Sequence, residues 1–369
     1  ETKGGRPMPF TETELKRHLK EAPPARLYLL YGREPYLTSH YADQVVRLAM
    51  GKDAGEDPLG QFNLQRFDGQ DSSWDAIEEA AEALPLMAER KCVVVRDFDV
   101  TAASVPFDRV LELAGDPPED TVLIFWMDTV FPDGKKNAKW RKFLAAVEKN
   151  GVCAELKPKT PAETAKLLCS GAARRGCLLR PENARLLFEQ CGDGLYRLLG
   201  ELDKLCALAL ETGGDDKEIT RDMIETAATK NLEASVFDLS KSLLSGRYDT
   251  AYRILDRLFF QREEPVAVLG VLISAYADLY RVKVADAAGE PAESLAADFA
   301  YKGREFRLRN AARDAARLSL PALRECLDVL AEADMRLKSS RMDKRTVLEQ
   351  AVAALILTGK RDRQGERRT

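Results

Sequence analysis

Leu27-Tyr28-Leu29-Leu30-Tyr31-Gly32-Arg33-Glu34-Pro35-Tyr36-Leu37-Thr38 is the stretch on which the reading of this chain turns. Its first five residues form an unbroken apolar and aromatic run of strand length, as expected of a strand buried on both faces. Gly32 ends the run, and a helical pattern follows from Pro35 through Met50. A strand, a glycine turn and a helix start are the setting in which phosphates are gripped when the loop reads Gly-x-x-x-x-Gly-Lys-Ser/Thr. Loop amides cradle the phosphates and the lysine neutralises them. Of that pattern only the first glycine is present. Tyr36 and Leu37 stand where small or phosphate-contacting residues belong, Pro35 removes an amide, and Glu34 repels phosphate. Gly32 to Thr38 therefore read as a degenerate phosphate loop, with no nucleotide hydrolysis and no cofactor expected.

Outward from this stretch, short apolar runs alternate with helical patterns. Residues 10–20 suit a helix capped by Thr11 or Thr13, ended by Pro23-Pro24. Strands are expected at Phe62–Phe67, Cys92–Val95, Val122–Trp126 and Val152–Leu156, with helices from Ser73 and near Phe107–Leu113 between them. Such alternation with short connections predicts a parallel sheet covered on both faces. Thr160-Pro161-Ala162-Glu163 is a strong helix start, with a capping Thr, a Pro at the first position and a Glu that reaches back. Beyond it the strand signal almost vanishes. Helices fit 161–175, 181–190, 194–212 and 220–228, with Gly213-Gly214 as a stop, and then 235–244, 248–260, 264–287, 303–317, 321–338 and 343–357. The fold class is α/β followed by all-α, with units expected at 1–158, 159–231 and 232–358 and a charged, disordered tail at 359–369.

Composition narrows the function classes. The chain has 369 residues, a formal net charge of -4 and seven cysteines, none spaced as C-x-x-C. An odd number of thiols in a long chain fits a reducing compartment, and two histidines without close cysteine pairs disfavour a metal site. There is no uninterrupted run of about 18 apolar residues, so no membrane span is expected. Residues 1–13 are polar, without an apolar signal core, and the missing initiator Met fits a processed or trimmed sequence. H-E-x-x-H, G-x-S-x-G and paired Cys–His signatures are absent from the sequence. Asp128, at the end of the fourth strand, is read as a polar residue leaving the sheet rather than a magnesium ligand.

The order of a false phosphate loop, a small helical unit and a larger helical unit resembles the delta subunit of the bacterial DNA polymerase III clamp loader. Leu27 to Leu37 is like that family's first strand and loop; Leu198-x-x-Glu201-Leu202-x-Lys204-Leu205 is like its helical lid. Ser235-Val236-Phe237-Asp238-Leu239, Asp334-x-x-Leu337-Lys338 and Leu348-Glu349 are like parts of its collar, and the likeness spans about residues 25–358. The resemblance implies a degenerate AAA+-like first domain, a lid and an oligomerising collar. It implies a cytoplasmic, DNA-binding replication subunit that binds and opens the sliding clamp (the beta subunit) inside a hetero-pentamer, which places the ring on primed DNA. It implies no chemistry of the chain's own: DNA-directed DNA polymerase activity, a nucleotidyltransferase activity, belongs to the holoenzyme.

Two stretches stand out for function. In the family, a helix of the first domain ends in a hydrophobic pair that enters a clamp pocket, and the matching pair is Leu86 and Met87. Relatives often carry an aromatic residue second, so Met87 departs from the pattern, although its flexible thioether can fill a pocket. From the residues alone, Leu86 packing under the next strand beside a lone surface Met87 is the alternative. The second stretch is basic: Lys135, Lys136 and Lys139 suit contact with phosphates of primed DNA or a solvated helix start. The competing functions are a replication ATPase, which the false phosphate loop opposes, and an adaptor or regulator of a replication complex without clamp contact.

Overall fold

The computed structural model describes residues 8–51, 58–212, 216–299, 301, 306–339 and 341–366. They divide into two compact units, Glu1–Lys159 and Thr160–Thr369.

The first unit runs α1 (Glu12–Glu21), β1 (Leu27–Gly32), α2 (Pro35–Met50), α3 (Pro58–Phe62), β2 (Leu64–Asp68), α4 (Trp74–Glu82), β3 (Lys91–Arg96), α5 (Phe107–Gly115), β4 (Thr121–Trp126), α6 (Ala138–Asn150) and β5 (Val152–Leu156). Its five strands form one sheet, ordered β2-β3-β4-β1-β5 and parallel throughout. The register brings Leu29 beside Phe125 on one side and Cys153 on the other. Successive strand residues face opposite sides. Leu27, Leu29, Val93, Val95, Leu123 and Phe125 join a core with Trp74, Ile77, Val110, Trp140 and Phe143 from α4, α5 and α6. The alternate residues Tyr28, Leu30, Val94 and Ile124 are buried on the other face, which α2 covers. Full burial of each such side chain contributes about 1.5–3 kcal/mol, which is why these strands are apolar without interruption. The strand expected at Phe62–Phe67 is displaced: Phe62 closes the short helix α3, and β2 starts at Leu64.

The second unit is helical: α7 (Pro161–Arg174), α8 (Pro181–Cys191), α9 (Leu195–Thr212), α10 (Arg221–Ala227), α11 (Leu232–Leu244), α12 (Tyr248–Phe260), α13 (Pro265–Ala287), α14 (Leu295–Asp298), α15 (Phe306–Ala315), α16 (Leu320–Ser339) and α17 (Lys344–Glu366). The capping box at Thr160 forms as read: its hydroxyl accepts from the Glu163 amide at 3.3 Å, and the Glu163 carboxylate accepts from the Thr160 amide at 2.8 Å. Gly213-Gly214 and residues 303–305 lie outside the described residues. α13 is long and apolar enough by composition to cross a membrane. Val268, Leu269, Leu272, Tyr276 and Leu279 of α13 are buried in the core formed by α11, α12, α15, α16 and α17, so packing accounts for its apolarity.

Of the tail expected to be disordered, residues 359–366 instead form the end of α17, and residues 367–369 lie outside the described residues. Charges of that helix end have partners: Asp362 accepts from the Ser319 amide (2.9 Å) and hydroxyl (2.5 Å), and Arg363 donates to the Leu244 carbonyl (3.1 Å) and the Tyr248 hydroxyl (2.5 Å). Charged composition signals disorder only where such partners are missing.

Within the helical core, the Asp278 carboxylate is 2% exposed. It meets the Arg307 guanidinium at 2.7 Å and accepts from the Tyr301 hydroxyl at 2.5 Å. A second guanidinium, of Arg281, lies farther off at 3.6 Å, so removing Arg307 leaves the buried charge only partly compensated. Arg307→Met is expected to lower stability by about 3–5 kcal/mol, and adding Asp278→Asn to recover much of that loss. Urea denaturation of the three proteins checks this; no recovery in the double variant assigns the cost to lost Arg307 packing instead.

Candidate functional site

The C-terminal ends of parallel strands are where ligands bind in open α/β sheets. Gly32–Thr38 lies there: Gly32 ends β1, Arg33 and Glu34 make the connection, and Pro35–Thr38 form the first turn of α2. Gly32 has φ +152°, and a Cβ at this position would lie 1.9 Å from the Leu156 carbonyl oxygen of β5. Its glycine is thus required by close strand packing, independently of phosphate. Glu34 is the residue before α2 and is 7% exposed. Its carbonyl already accepts from the amides of Leu37 (3.0 Å) and Thr38 (3.3 Å), and Pro35 offers no amide. The Glu34 side chain makes no cap hydrogen bond, and a negatively charged residue at the N-cap of α2 opposes the binding of a phosphate at that helix end. Leu37 and Thr38 are buried, Thr38 donating its hydroxyl to the Pro35 carbonyl at 2.9 Å, and Tyr36 stacks on His40 with ring centroids 5.5 Å apart. Arg33 is exposed.

At the same edge, Asp128 is held by Arg96, whose guanidinium lies 2.6 Å away and also covers the Trp126 ring at 5.5 Å. A protein cation therefore stands beside the carboxylate that sequence reading weighed as a metal ligand. The neighbouring Asp97, φ +51° and 2% exposed, accepts from the amides of Asp128 (2.7 Å), Thr129 (2.9 Å) and Val130 (3.1 Å) and from the Thr129 hydroxyl (2.8 Å). Burial opposes its ionisation, but these donors outweigh burial and hold its carboxyl below the usual range. Asp97 thus staples the β4–α6 loop to β3. Nothing in the sequence flagged it, because Arg96-Asp97 looks like any polar strand exit. Among the described residues, no group of three or more His, Cys, Asp or Glu is placed to hold a metal.

The opposite edge of the sheet carries the apolar pair. The chain from α4 to β3 exposes Leu84 (82%), Leu86 (49%) and Met87 (86%), with Ala88, Glu89 and Arg90 also exposed. Both residues of the pair are therefore at the surface, and Leu86 does not pack under β3. Met87 has φ +49°, a left-handed conformation that is uncommon for a residue with a side chain. Buried polar side chains fix the surroundings. Lys91 donates its ammonium to the Ala80 carbonyl, and Thr121 donates its hydroxyl to the Ala81 carbonyl at 2.7 Å, so two last-turn carbonyls of α4 are capped from the sheet. Desolvation pulls the Lys91 pKa below its ordinary value. Asn63, 3% exposed, accepts from the Leu86 amide at 2.7 Å and donates to the Leu86 carbonyl at 2.9 Å.

The lysines flank the N-terminus of α6. Asp133 accepts from the amides of Lys135 (3.0 Å) and Lys136 (3.1 Å), and Asn137 caps the helix through the amides of Lys139 and Trp140. Lys135 and Lys136 are exposed; Lys136 lies 3.7 Å from Asp133, and the Lys139 ammonium covers the Phe107 ring at 5.5 Å. Trp140 is buried beside Phe143 and pins the helix to the core.

Two family models match the chain. One described as DNA polymerase III, delta subunit, matches residues 28–152. The other, DNA polymerase III delta subunit, C-terminal domain, matches residues 233–355. The chain belongs to the DNA polymerase III delta subunit family. It is 23% identical over 347 residues to DNA polymerase III subunit delta of Bacillus subtilis, covering 92% of this chain and 95% of that protein. Its fold is similar to the solved DNA clamp loader delta protein of Bacillus subtilis, with a TM-score of 0.55 at 22% identity, covering 94% of this chain and 99% of that one. The parallel α/β unit followed by a helical lid and a helical collar matches the architecture of the delta subunit.

The filled phosphate loop generates a direct expectation. A fluorescent ATP analogue titrated against the pure protein should show no saturable binding at micromolar concentration; tight magnesium-dependent binding overturns this reading of Gly32–Thr38. Gly32→Ala should cost at least about 1–3 kcal/mol of stability through overpacking against Leu156. A variant that unfolds at the wild-type urea concentration shows that β5 yields more than its hydrogen-bonded register suggests.

Proposed function

We propose that this chain is the clamp-opening module of a loader. It presses Leu86 and Met87 into an apolar pocket of the ring-shaped sliding clamp and favours the open or strained ring interface, so that the loader can place the ring on primed DNA. The observation that carries the reading is the exposed pair itself: two apolar side chains held outward on a loop whose backbone is fixed from beneath. Leu84 adds a third exposed apolar side chain beside the pair, and a contiguous exposed apolar patch is a feature of interaction sites. Rigid presentation lowers the ordering cost of association. An adaptor without clamp contact has no use for such a mount.

Opening the ring requires tighter binding to its open form, since equal affinity for both forms shifts nothing. Lys135 and Lys136, exposed at the start of α6, suit a subsidiary contact with DNA phosphates. The helices from Leu232 onward, around the α11–α17 core, carry assembly with the other subunits of a hetero-pentamer, and those partners supply ATP binding. The seven free thiols, six of them buried, fit a cytoplasmic setting.

The pair acts as a small hot spot with a tolerant charged rim. A Leu86→Ala, Met87→Ala double variant is expected to weaken clamp binding roughly 10-fold or more, on a scale of about 1.4 kcal/mol per decade. Its melting temperature should barely change, because both side chains are already exposed. Wild-type affinity in a pull-down or titration against the clamp removes the pair from the contact and favours the adaptor. Separately, a chain ending at Asn231 should keep clamp binding yet drop out of the pentamer on size exclusion; full assembly of that fragment overturns the role given to the helices beyond it.

A further inference from the structure

The segment Leu84–Arg90 contains no helix or strand. Among the described residues, none of its backbone groups bonds to another backbone group. Such a segment would be expected to sample many conformations, and each would carry Leu86 and Met87 to a different place. Among the described residues, one side chain bonds to its backbone, that of Asn63. Asn63 makes two bonds to a single residue, accepting from the Leu86 amide and donating to the Leu86 carbonyl, as a neighbouring strand would. Its own backbone is anchored on both sides: its amide donates to the Gly60 carbonyl at 3.1 Å, and its carbonyl accepts from the Cys92 amide at 2.8 Å, where β3 begins.

We infer that Asn63 is the positioning residue of the clamp contact: it transfers the rigidity of the sheet to Leu86 and so fixes where the Leu86–Met87 pair stands before a partner arrives. The inference rests on the reading of that pair as the contact. Side-chain chemistry makes Asn the fitting residue here. A carboxamide alone among short side chains offers an acceptor and a donor in the spacing of a peptide group. Gln would add a methylene and push the loop outward; Asp would keep the acceptor but set a negative charge against the Leu86 carbonyl. With Leu86 held, the next residue turns through the left-handed region, and Met87 adopts that conformation despite its side chain. Backbone strain of this kind persists where surrounding bonds over-determine it.

The test is a cycle of variants in the full-length chain: Asn63→Ala, Asn63→Asp, Leu86→Ala/Met87→Ala, and the triple combination with Asn63→Ala. Clamp affinity and hydrogen exchange at the Leu86 amide are the two readouts. Asn63→Ala should weaken clamp binding roughly fivefold or more, the scale of losing about two hydrogen bonds that order one loop. It should also release the Leu86 amide to exchange while the amides of β3 stay protected. In the triple variant, the Asn63 change should add nothing to the loss already caused by the pair, because residues acting as one unit are not additive. Asn63→Asp preserves side-chain size and the acceptor but removes the donor to the Leu86 carbonyl, and should Asn63→Ala not fold, it decides the question: weakened clamp binding with the β3 amides still protected supports the role. Wild-type affinity in a folded Asn63 variant, while the pair variant is impaired, overturns the inference alone. A multiplicative loss in the triple variant also overturns it, assigning Asn63 a general structural role. Wild-type affinity in the pair variant instead overturns the clamp reading itself, and the positioning role with it.

Discussion

Backbone polar groups that lie near a buried sheet must be paired, and in the first unit that pairing falls to a handful of buried polar side chains. A parallel sheet apolar on both faces leaves its connections at two edges, where ladder hydrogen bonds end. Asp97 takes three amides of the β4–α6 loop. Lys91 and Thr121 take the last carbonyls of α4, and Asn63 takes both polar groups of Leu86. Each of these residues is almost fully buried, and each reaches across to a different segment of chain. The loops are therefore extensions of the sheet, and the surfaces they display inherit its rigidity.

The two edges have separate fates. Every β-to-α connection of a parallel sheet lies at one edge and every α-to-β connection at the other. The Gly32–Thr38 loop belongs to the first edge, and the loop bearing Leu86 and Met87, between α4 and β3, belongs to the second. Filling the phosphate loop with Glu34, Leu37 and Thr38 thus changes nothing at the edge where the apolar pair is displayed. The scaffold that would position a nucleotide can be kept for its strand packing, as Gly32 against Leu156 illustrates. A filled phosphate loop at one end of the strands and the proposed docking surface at the other are compatible because one sheet carries both.

Much of this architecture was legible in the sequence, for physical reasons that differ by element. The central strands announced themselves because burial on both faces demands continuous apolar runs, as in Cys92–Val95 and Val122–Trp126. The break before the helical unit was legible in Thr160-Pro161-Ala162-Glu163, since a capping box is a local interaction and needs no tertiary context. The edge strand β2 is only partly buried and its pattern is mixed, so its start was misplaced and Phe62, actually exposed at the end of α3, was drawn into it. The helical end of α17 is not legible locally, because the contacts of Asp362 and Arg363 lie at Ser319, Leu244 and Tyr248, far away in sequence. At the candidate site, Leu86 and Met87 could be singled out, but Asn63 could not. An Asn before a strand has many uses, and only the fold brings it against a loop more than twenty residues later.

On the proposed function, the mount and the pair divide the work of binding in a way their residue types explain. Fixing a backbone removes about 1–2 kcal/mol of conformational freedom per residue, and in this loop that ordering is done by folding, before any partner is met. The side chains remain free: Met87 is 86% exposed and keeps its rotatable bonds. A rigid aromatic at that position would present one shape to one pocket, whereas a thioether can adapt to the shape it meets. Adaptability has an entropic cost of its own, because a flexible side chain is ordered on binding at about 0.5–1.5 kcal/mol. A fixed backbone beneath a flexible side chain limits that cost to the residue that touches the partner. The left-handed turn at Met87 fits this division: Met87 is the more exposed of the two, and the half-exposed Leu86 carries the backbone bonds to Asn63.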